Sequence, residues 1–176
     1  FAVLSMPFVF EDLDHLKAFQ ASQTYADLVD RLRNDANVRV LADNWYRMPR
    51  VLLTREPVAS MDDLAGRKLR MPDIEAFVTN HGMAPFNVLM SETSYQGLTE
   101  AEQTAIVEAA KAAGDFYTDQ IDTEFAPQRA AMLAEGATFA EIPLAPFADK
   151  ARAVAEEFES RDMWKSGLFA EIQTLK

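Results

Sequence analysis

Six basic side chains gather in one short stretch of a chain that is acidic as a whole. Between positions 47 and 70 the sequence places five arginines and a lysine, and the stretch runs into GRKLRMPD at 66–73. A planar guanidinium can hold a carboxylate through two parallel hydrogen bonds. These side chains could therefore bind an organic anion. The candidate residues are Arg47, Arg50, Arg55, Arg67, Lys68 and Arg70.

Two of these arginines lie in predicted strands, where side chains alternate between the two faces. Alternation places Arg70 on one face with Lys68, and Arg50 on one face with Leu52 and Thr54. The pattern alone leaves open a solvated strand face. Position favours a ligand, because Arg70 lies near the C-terminal end of its strand, where open α/β sheets bind their ligands.

Two aromatic residues, Trp45 and Tyr46, precede these arginines. Aromatic side chains bury large apolar areas and can keep a polar group for hydrogen bonding. They are candidates for an apolar wall beside a bound anion, although core packing is an equally physical explanation of the same pattern.

Composition excludes several classes of function. The chain has 17 basic and 28 acidic residues, a net charge of −11, which is the wrong sign for binding nucleic acid or anionic lipid. It has no cysteine, which excludes thiol nucleophiles, cysteine-ligated zinc and disulfides. The longest apolar run, FAVLSMPFVF, is shorter than the roughly 18 residues of a membrane span. We expect neither a nucleic-acid partner nor membrane insertion.

Catalytic, metal and cofactor motifs are missing from the sequence. His15 and His81 stand far apart and outside any HExxH spacing, and Ser166 lacks the GxSxG elbow. None of the six glycines forms a phosphate-binding loop. The sequence therefore predicts no catalytic residue, no metal site and no cofactor.

The elements that would position the arginines follow an α/β pattern. Thr99 and Glu102 form a capping box that opens the longest helix, and Pro127 should kink or break that helix. Ser60 and Gly66 mark the start and end of a short helix. Periodicity predicts strands at 1–10, 38–45, 50–57, 66–72, 87–92 and 137–143, and helices at 11–35 in two pieces, 60–66, 99–135, 146–161 and 164–175.

Four stretches together resemble one protein family. VLSMPFVFED, RVLLTREPVASMDDLAGRKLRMPD, VTNHGMAPFNVLMSE and GLTEAEQTAIVEAAKAA are similar, in order and character, to the DctP-type solute-binding proteins of TRAP transporters. The resemblance implies that Arg70, in DLAGRKLRMP, pairs with the carboxylate of the ligand. It also implies an assisting role for Arg50, although the glycine expected just before that second arginine is replaced in Arg47-Met48-Pro49-Arg50.

The resemblance implies a fold, a function and a location. The expected fold is a two-lobed α/β fold of the periplasmic-binding-protein type, present in part, with a long kinked helix spanning the hinge. Lobe one would comprise 1–48 and 80–117, and lobe two 49–79 and 118–176. The expected function is not enzymatic. It is the capture of a small organic acid in the periplasm and its delivery to the membrane subunits of a TRAP transporter.

The chain is shorter than this family leads one to expect. Family members of about 300 residues would make more than a third of the protein absent. The expected losses lie upstream of Phe1 and between about 77 and 79, where EAF meets VTNH at once. The hypothesis is that the chain represents portions of a longer protein, and an intact mass near 19.7 kDa would contradict it.

Two other functions remain open from the sequence. One is a small α/β enzyme that anchors a carboxylated substrate on Arg70, with His81 or a carboxylate as its base. Turnover of the substrate would favour it, and recovery of unchanged ligand would favour a binding protein. The other is an acidic interaction module built on the long helix, for which Arg70 would be dispensable.

Overall fold

The computed structural model describes residues 2–47, 54–68 and 86–175. These residues form six α-helices and two strands, together with two short 3-10 turns at Ala2–Ser5 and Asp62–Leu64. Within these ranges no helix is long and apolar enough to cross a membrane. The helices are α1 (Leu13–Gln20), α2 (Gln23–Ala36), α3 (Glu92–Gln96), α4 (Glu100–Ala134), α5 (Ala145–Ser160) and α6 (Leu168–Thr174), and the strands are β1 (Val38–Trp45) and β2 (Phe86–Ser91).

The first of two compact units contains Phe1–Leu16, Pro49–Met83 and Met132–Lys176. Its described core joins the apolar N-terminal segment to α5 and α6. The side chains at its centre are almost fully buried, with Val3, Met6, Val9 and Ile172 at 1% exposure or less. Burying a side chain of this size contributes about 1.5–3 kcal/mol, so the core depends on the two ends of the chain together.

The second compact unit contains Lys17–Met48 and Ala84–Ala131. Its described sheet is a single antiparallel pair, β1 with β2, in which Val38 lies opposite Ser91 and Val40 opposite Leu89. Register shifts follow between Val40 and Ala42 and between Ala42 and Trp45. Helix α2 packs against β1, and Ser22 caps α2 by accepting a hydrogen bond from the Tyr25 amide.

Most of the predicted elements are present. The helix expected over 11–35 is indeed in two pieces, and the strands at 38–45 and 87–92 are β1 and β2 within one residue. The capping box opens α4 as expected: the Thr99 amide and hydroxyl donate to Glu102 Oε2 at 2.8 and 2.7 Å. Helix α4 runs through Pro127 without a break, so of the two expected effects of this proline the break is wrong and the kink stays a prediction. A proline removes only one hydrogen bond of the ladder, and the residues on both sides remain helical.

Three other predictions differ from the structure or lie beyond it. The N-terminal run is buried as expected, but Ala2–Ser5 forms a 3-10 turn rather than a strand. Residues 137–143 form no strand. The strands expected over 50–57 and 66–72 lie largely outside the described residues, and 54–57 and 66–68 are not in strands. The lobe boundaries expected from the sequence stay a prediction.

Candidate functional site

The two arginines predicted to bind an anion, Arg70 and Arg50, lie outside the described residues, as does His81. Their roles therefore stay predictions. What the structure describes is the chain on either side of them: the turn that leads to Lys68 and the end of β1 that leads to Arg47.

A compact turn precedes the Arg70 segment. Asp63 Oδ2 accepts hydrogen bonds from the amides of Ala59 and Ser60, both at 2.9 Å, and from the Ser60 hydroxyl at 3.2 Å. These bonds, the one from Ala59 first, lower the pKa of Asp63. The turn ends at Gly66, whose φ of +74° is one that glycine adopts without strain.

Arg67, one of the six basic residues between 47 and 70, closes the turn. Arg67 donates its Nε to the Asp63 carbonyl, and its amide donates to the Leu64 carbonyl at 3.1 Å. Arg67 and Lys68 are both exposed. The predicted short helix at 60–66 is thus a 3-10 turn at Asp62–Leu64, which precedes the Arg70 segment in the sequence.

On the other side, Trp45 is held against α4. Its indole Nε1 donates to the Ala110 carbonyl at 3.0 Å, and its ring stacks on Tyr117 with centroids 5.3 Å apart. The contact is close because α4 carries Gly114 at this point. A Cβ at Gly114 would lie 2.4 Å from Asn44 Oδ1 and 2.7 Å from Trp45 Cδ1. Trp45 therefore has a packing role within the second unit.

Tyr46 is anchored by polar contacts at both ends. Its amide donates to Thr118 Oγ1 at 3.3 Å, and its hydroxyl donates to Gln20 Oε1 at 2.8 Å. Burial, and after it the charges of Asp43 and Asp115, raise the pKa of the Tyr46 hydroxyl. The hydroxyl stays protonated and acts as a donor, so Tyr46 is no candidate for a base. A contact of either aromatic ring with a ligand stays a prediction.

The described part of the chain offers little to an enzyme. His15 is 4% exposed, and both of its ring nitrogens are used: Nδ1 accepts from the Glu11 amide at 3.2 Å, and Nε2 donates to the Ile172 carbonyl at 2.8 Å. That arrangement occupies the lone pair that a metal ion would need. Among the residues with described positions, no group of three or more metal-binding side chains occurs.

One ion pair in the structure was not predicted from the sequence. Arg39 of β1 donates Nε and a terminal nitrogen to the two carboxylate oxygens of Glu92 at 2.6 and 2.7 Å, and its guanidinium lies 4.0 Å from the centroid of the Tyr95 ring. Arg39 and Glu92 are 53 residues apart. Only the register of β1 with β2 brings them together, so composition and local spacing carry no signal for the pair.

The sequence of this chain is similar to that of known solute-binding proteins. The sequence profile described as DctP, bacterial extracellular solute-binding protein, family 7, matches residues 1–78 and 74–162. The sialic acid-binding periplasmic protein SiaP of Vibrio cholerae is 22% identical over 206 residues, which cover 88% of this chain and 64% of SiaP. The chain spans between 31% and 64% of the length of the curated relatives it matches first.

Solved structures resemble the chain over its whole length. A TRAP periplasmic solute-binding protein of Escherichia fergusonii in an apo open form matches with a TM-score of 0.87 at 21% identity, covering 100% of this chain and 75% of that one. A protein of the same class from Pseudomonas putida F1, with bound D-glucuronate, matches with 0.81 at 22% identity, covering 99% and 72%. The likeness confirms the predicted α/β fold of the periplasmic-binding-protein type.

The comparisons also bear on the predicted internal gap. The two profile matches meet at residues 74–78, beside the predicted gap at 77–79. The SiaP alignment of 206 positions takes in 88% of 176 residues, or about 155, which leaves about 51 positions of SiaP without a counterpart in the aligned part of this chain. Both observations support an absent stretch inside the chain.

Proposed function

Because the chain belongs to the DctP family of bacterial extracellular solute-binding proteins, we propose that it captures a small carboxylated sugar and delivers it to the membrane subunits of a TRAP transporter. The single observation that carries the proposal is the family match, which extends over the segment that contains Arg50 and Arg70. The match also confirms a binding protein rather than an enzyme, as the sequence predicted.

The proposed class of ligand follows from two relatives that bind different small molecules. One binds sialic acid and the other holds D-glucuronate. Both compounds are sugars with a carboxylate, the group that a guanidinium recognises through two hydrogen bonds. We therefore assign the carboxylate of the ligand to Arg70, with Arg50 assisting. Because both relatives are described as periplasmic proteins, the proposed location is the periplasm.

Arg70 cannot supply the affinity alone. Two charge-assisted hydrogen bonds contribute about 3–6 kcal/mol, whereas a micromolar dissociation constant corresponds to about 8 kcal/mol. Sugar hydroxyls must add further hydrogen bonds. The net charge of −11 does not oppose an anion at this site, because charges more than about 8 Å away are screened at physiological salt.

Isothermal titration calorimetry with D-glucuronate and with sialic acid tests the proposal. We expect Arg70→Ala to abolish binding and Arg70→Lys to weaken it severely, because an ammonium lacks the planar fork. Arg152→Lys is the matched control: Arg152 is 58% exposed in its ion pair with Asp149, and such surface pairs contribute little. Its affinity should equal that of the unaltered protein.

Two results would count against the proposal in different ways. If Arg70→Lys binds as tightly as the unaltered protein, the bidentate assignment is wrong while sugar-acid binding stands. If the unaltered protein binds neither of these ligands nor any other carboxylated sugar in a thermal-shift screen, the ligand class is wrong, because a ligand that binds only the folded state must raise the melting temperature.

A further inference from the structure

The surroundings of helix α4 change halfway along its length. In the first half, Gly114 is buried against Asn44 of β1, and Thr118 donates its hydroxyl to the Asn44 carbonyl at 3.1 Å. In the second half, every residue from Asp122 to Ala134 is exposed. These 13 residues, the bare half of α4, have a length of about 20 Å at 1.5 Å per residue.

The side of α4 that packs on β1 continues as an apolar face into the bare half. Alternating steps of four and three residues return to the same side of a helix. From the buried Gly114 such steps lead to two large apolar side chains that are exposed, Phe125 at 44% and Met132 at 43%. The full series is Gly114, Thr118, Ile121, Phe125, Gln128 and Met132. One side of the helix is therefore buried first and then open to solvent.

The bare half of α4 needs a neighbour to stay helical. Helical segments shorter than about 12–15 residues are marginal in water unless other elements pack against them. The bare half also contains Pro127, and proline has the lowest helix propensity of all residues. Its helical conformation therefore indicates that another segment packs on the face that carries Phe125.

A stretch of suitable size is absent from inside this chain. The alignment with SiaP leaves about 51 positions of that protein without a counterpart, and the two family matches meet at residues 74–78. A helix spans 20 Å in about 13 residues, and a strand spans it in about six. About 51 residues can therefore supply two elements that lie along the bare half, together with their connections.

Charge disfavours a second copy of this chain as the neighbour. The chain has a net charge of −11, and the end of α4 carries Asp119, Asp122 and Glu124 with one arginine, Arg129. Two copies joined along this face would bring their carboxylates together at short range, where like charges repel. A stretch of the same chain is tethered beside the helix instead, which gives it a high effective concentration.

We propose that the face of α4 formed by Ile121, Phe125, Gln128 and Met132 is the docking surface for the stretch that is absent between about residues 77 and 79. That stretch packs along the bare half of α4 and buries its apolar side chains. The proposal rests on the family match and on the alignment with SiaP, not on a ligand. A failure of sugar binding at Arg70 would therefore leave it unaffected.

Hydrogen exchange followed by mass spectrometry tests the proposal on two chains. One is the 176-residue protein, and the other carries the roughly 51 unmatched positions of SiaP inserted between Val78 and Thr79. We expect the amides of residues 122–134 to exchange about tenfold or more slowly in the longer chain, because packing suppresses local opening. The amides of residues 107–118, where α4 already contacts β1, should change by less than about twofold.

A matched pair of substitutions in the longer chain identifies the face. Phe125→Ser should abolish the slower exchange, because it removes an apolar side chain from the proposed contact. Phe116→Ser makes the same chemical change nine residues earlier, on the opposite side of the helix, where the side chain is 67% exposed. The slower exchange should survive Phe116→Ser. Equal effects of the two substitutions would overturn the assignment of the face.

The longer chain can also overturn the proposal directly. If it folds, as judged by circular dichroism, and residues 122–134 still exchange as fast as in the 176-residue protein, the stretch packs elsewhere. If it does not fold, the same stretch is added to the 176-residue protein as a separate peptide at about 1 mM, the effective concentration of a tethered segment. Unchanged exchange at residues 122–134 would then count equally against the proposal.

Slow exchange of residues 122–134 in the 176-residue protein itself would contradict the proposal in one of two ways. If that protein is a monomer in sedimentation, its own residues already cover the face. If the exchange becomes fast on dilution and sedimentation shows a dimer, the occupant is a second copy of the chain.

Discussion

At the scale of single residues, His15 acts in the structure rather than in chemistry. It bonds the Ile172 carbonyl and the Glu11 amide, and it meets the Phe10 ring edge-on at 5.6 Å between centroids. We predict that His15→Ala lowers the free energy of unfolding by about 2–4 kcal/mol, because it leaves two polar groups without partners and opens a cavity. Urea denaturation measures the effect. Asp14→Ala, exposed on the same helix, should change it much less, and equal effects would contradict the role assigned to His15.

Arg39 and Glu92 supply a pH-dependent contribution at the same scale. The hydrogen bonds from Arg39, and then the one from Gln96, lower the pKa of Glu92 to about 2. Because the folded pKa lies below the unfolded value of about 4.3, this contribution is full above that value and is lost as the pH falls toward 2.

The measurement is the free energy of unfolding between pH 6 and pH 2. Glu92→Gln should flatten the fall in this range, since the amide does not titrate. Glu108→Gln replaces an exposed carboxylate of α4 and should leave the slope unchanged. A slope that is the same in Glu92→Gln and in the unaltered protein would show that Arg39 does not hold the carboxylate in solution.

At the scale of elements, β1 docks on α4 through Gly114. Alanine normally favours a helix over glycine by about 1 kcal/mol, but a Cβ here would lie 2.4 Å from Asn44 Oδ1. We therefore predict that Gly114→Ala destabilises the protein. It should also shift the fluorescence emission of Trp45 to longer wavelength, because the surroundings of the indole become more polar as its contact with α4 opens. Gly97→Ala is the control, because the nearest atom to its Cβ would be 3.4 Å away. A gain in melting temperature for Gly114→Ala would contradict the close approach.

The same scale shows what the sequence can predict. Helix α4 was predictable because Thr99 and Glu102 form a local signal that needs no partner. The N-terminal run was predicted as a strand because an apolar run without periodicity fixes burial but not the element. Residues 137–143 have strand-like composition, yet a strand also needs a neighbour, and no strand in the described residues lies beside them. The Arg39–Glu92 pair depends on the register of β1 with β2, which cannot be read from the sequence.

At the scale of the whole molecule, the resemblance to a family favoured a function for Arg70, whereas sequence periodicity did not. Strand alternation left Arg70 between a surface charge and a receptor, and the match of the DctP profile to residues 1–78 supports the second interpretation. The positions of Arg50 and Arg70 stay predictions because those residues lie outside the described ranges. Of the four candidate residues, the structure describes Trp45 and Tyr46, and it gives both of them packing contacts that explain their positions without a ligand.

The surface of the whole molecule carries one further prediction. Several large apolar side chains of α4 are exposed, with Phe116 at 67%, Phe125 at 44% and Leu133 at 44%. Exposed apolar surface binds the dye anilinonaphthalene sulfonate. We predict that Phe116→Ser lowers the dye fluorescence of the native protein while changing the free energy of unfolding by no more than about 0.5–1 kcal/mol, as expected for an exposed position.

Ala112→Ser, exposed on the same helix, separates the surface from helix propensity. It lowers helix propensity more than Phe116→Ser does and removes no aromatic ring, so it should leave the dye fluorescence as it was. If Phe116→Ser instead lowers stability by 2 kcal/mol or more, on the order of the loss of a buried side chain, then Phe116 is covered in solution and this face of α4 is an interface.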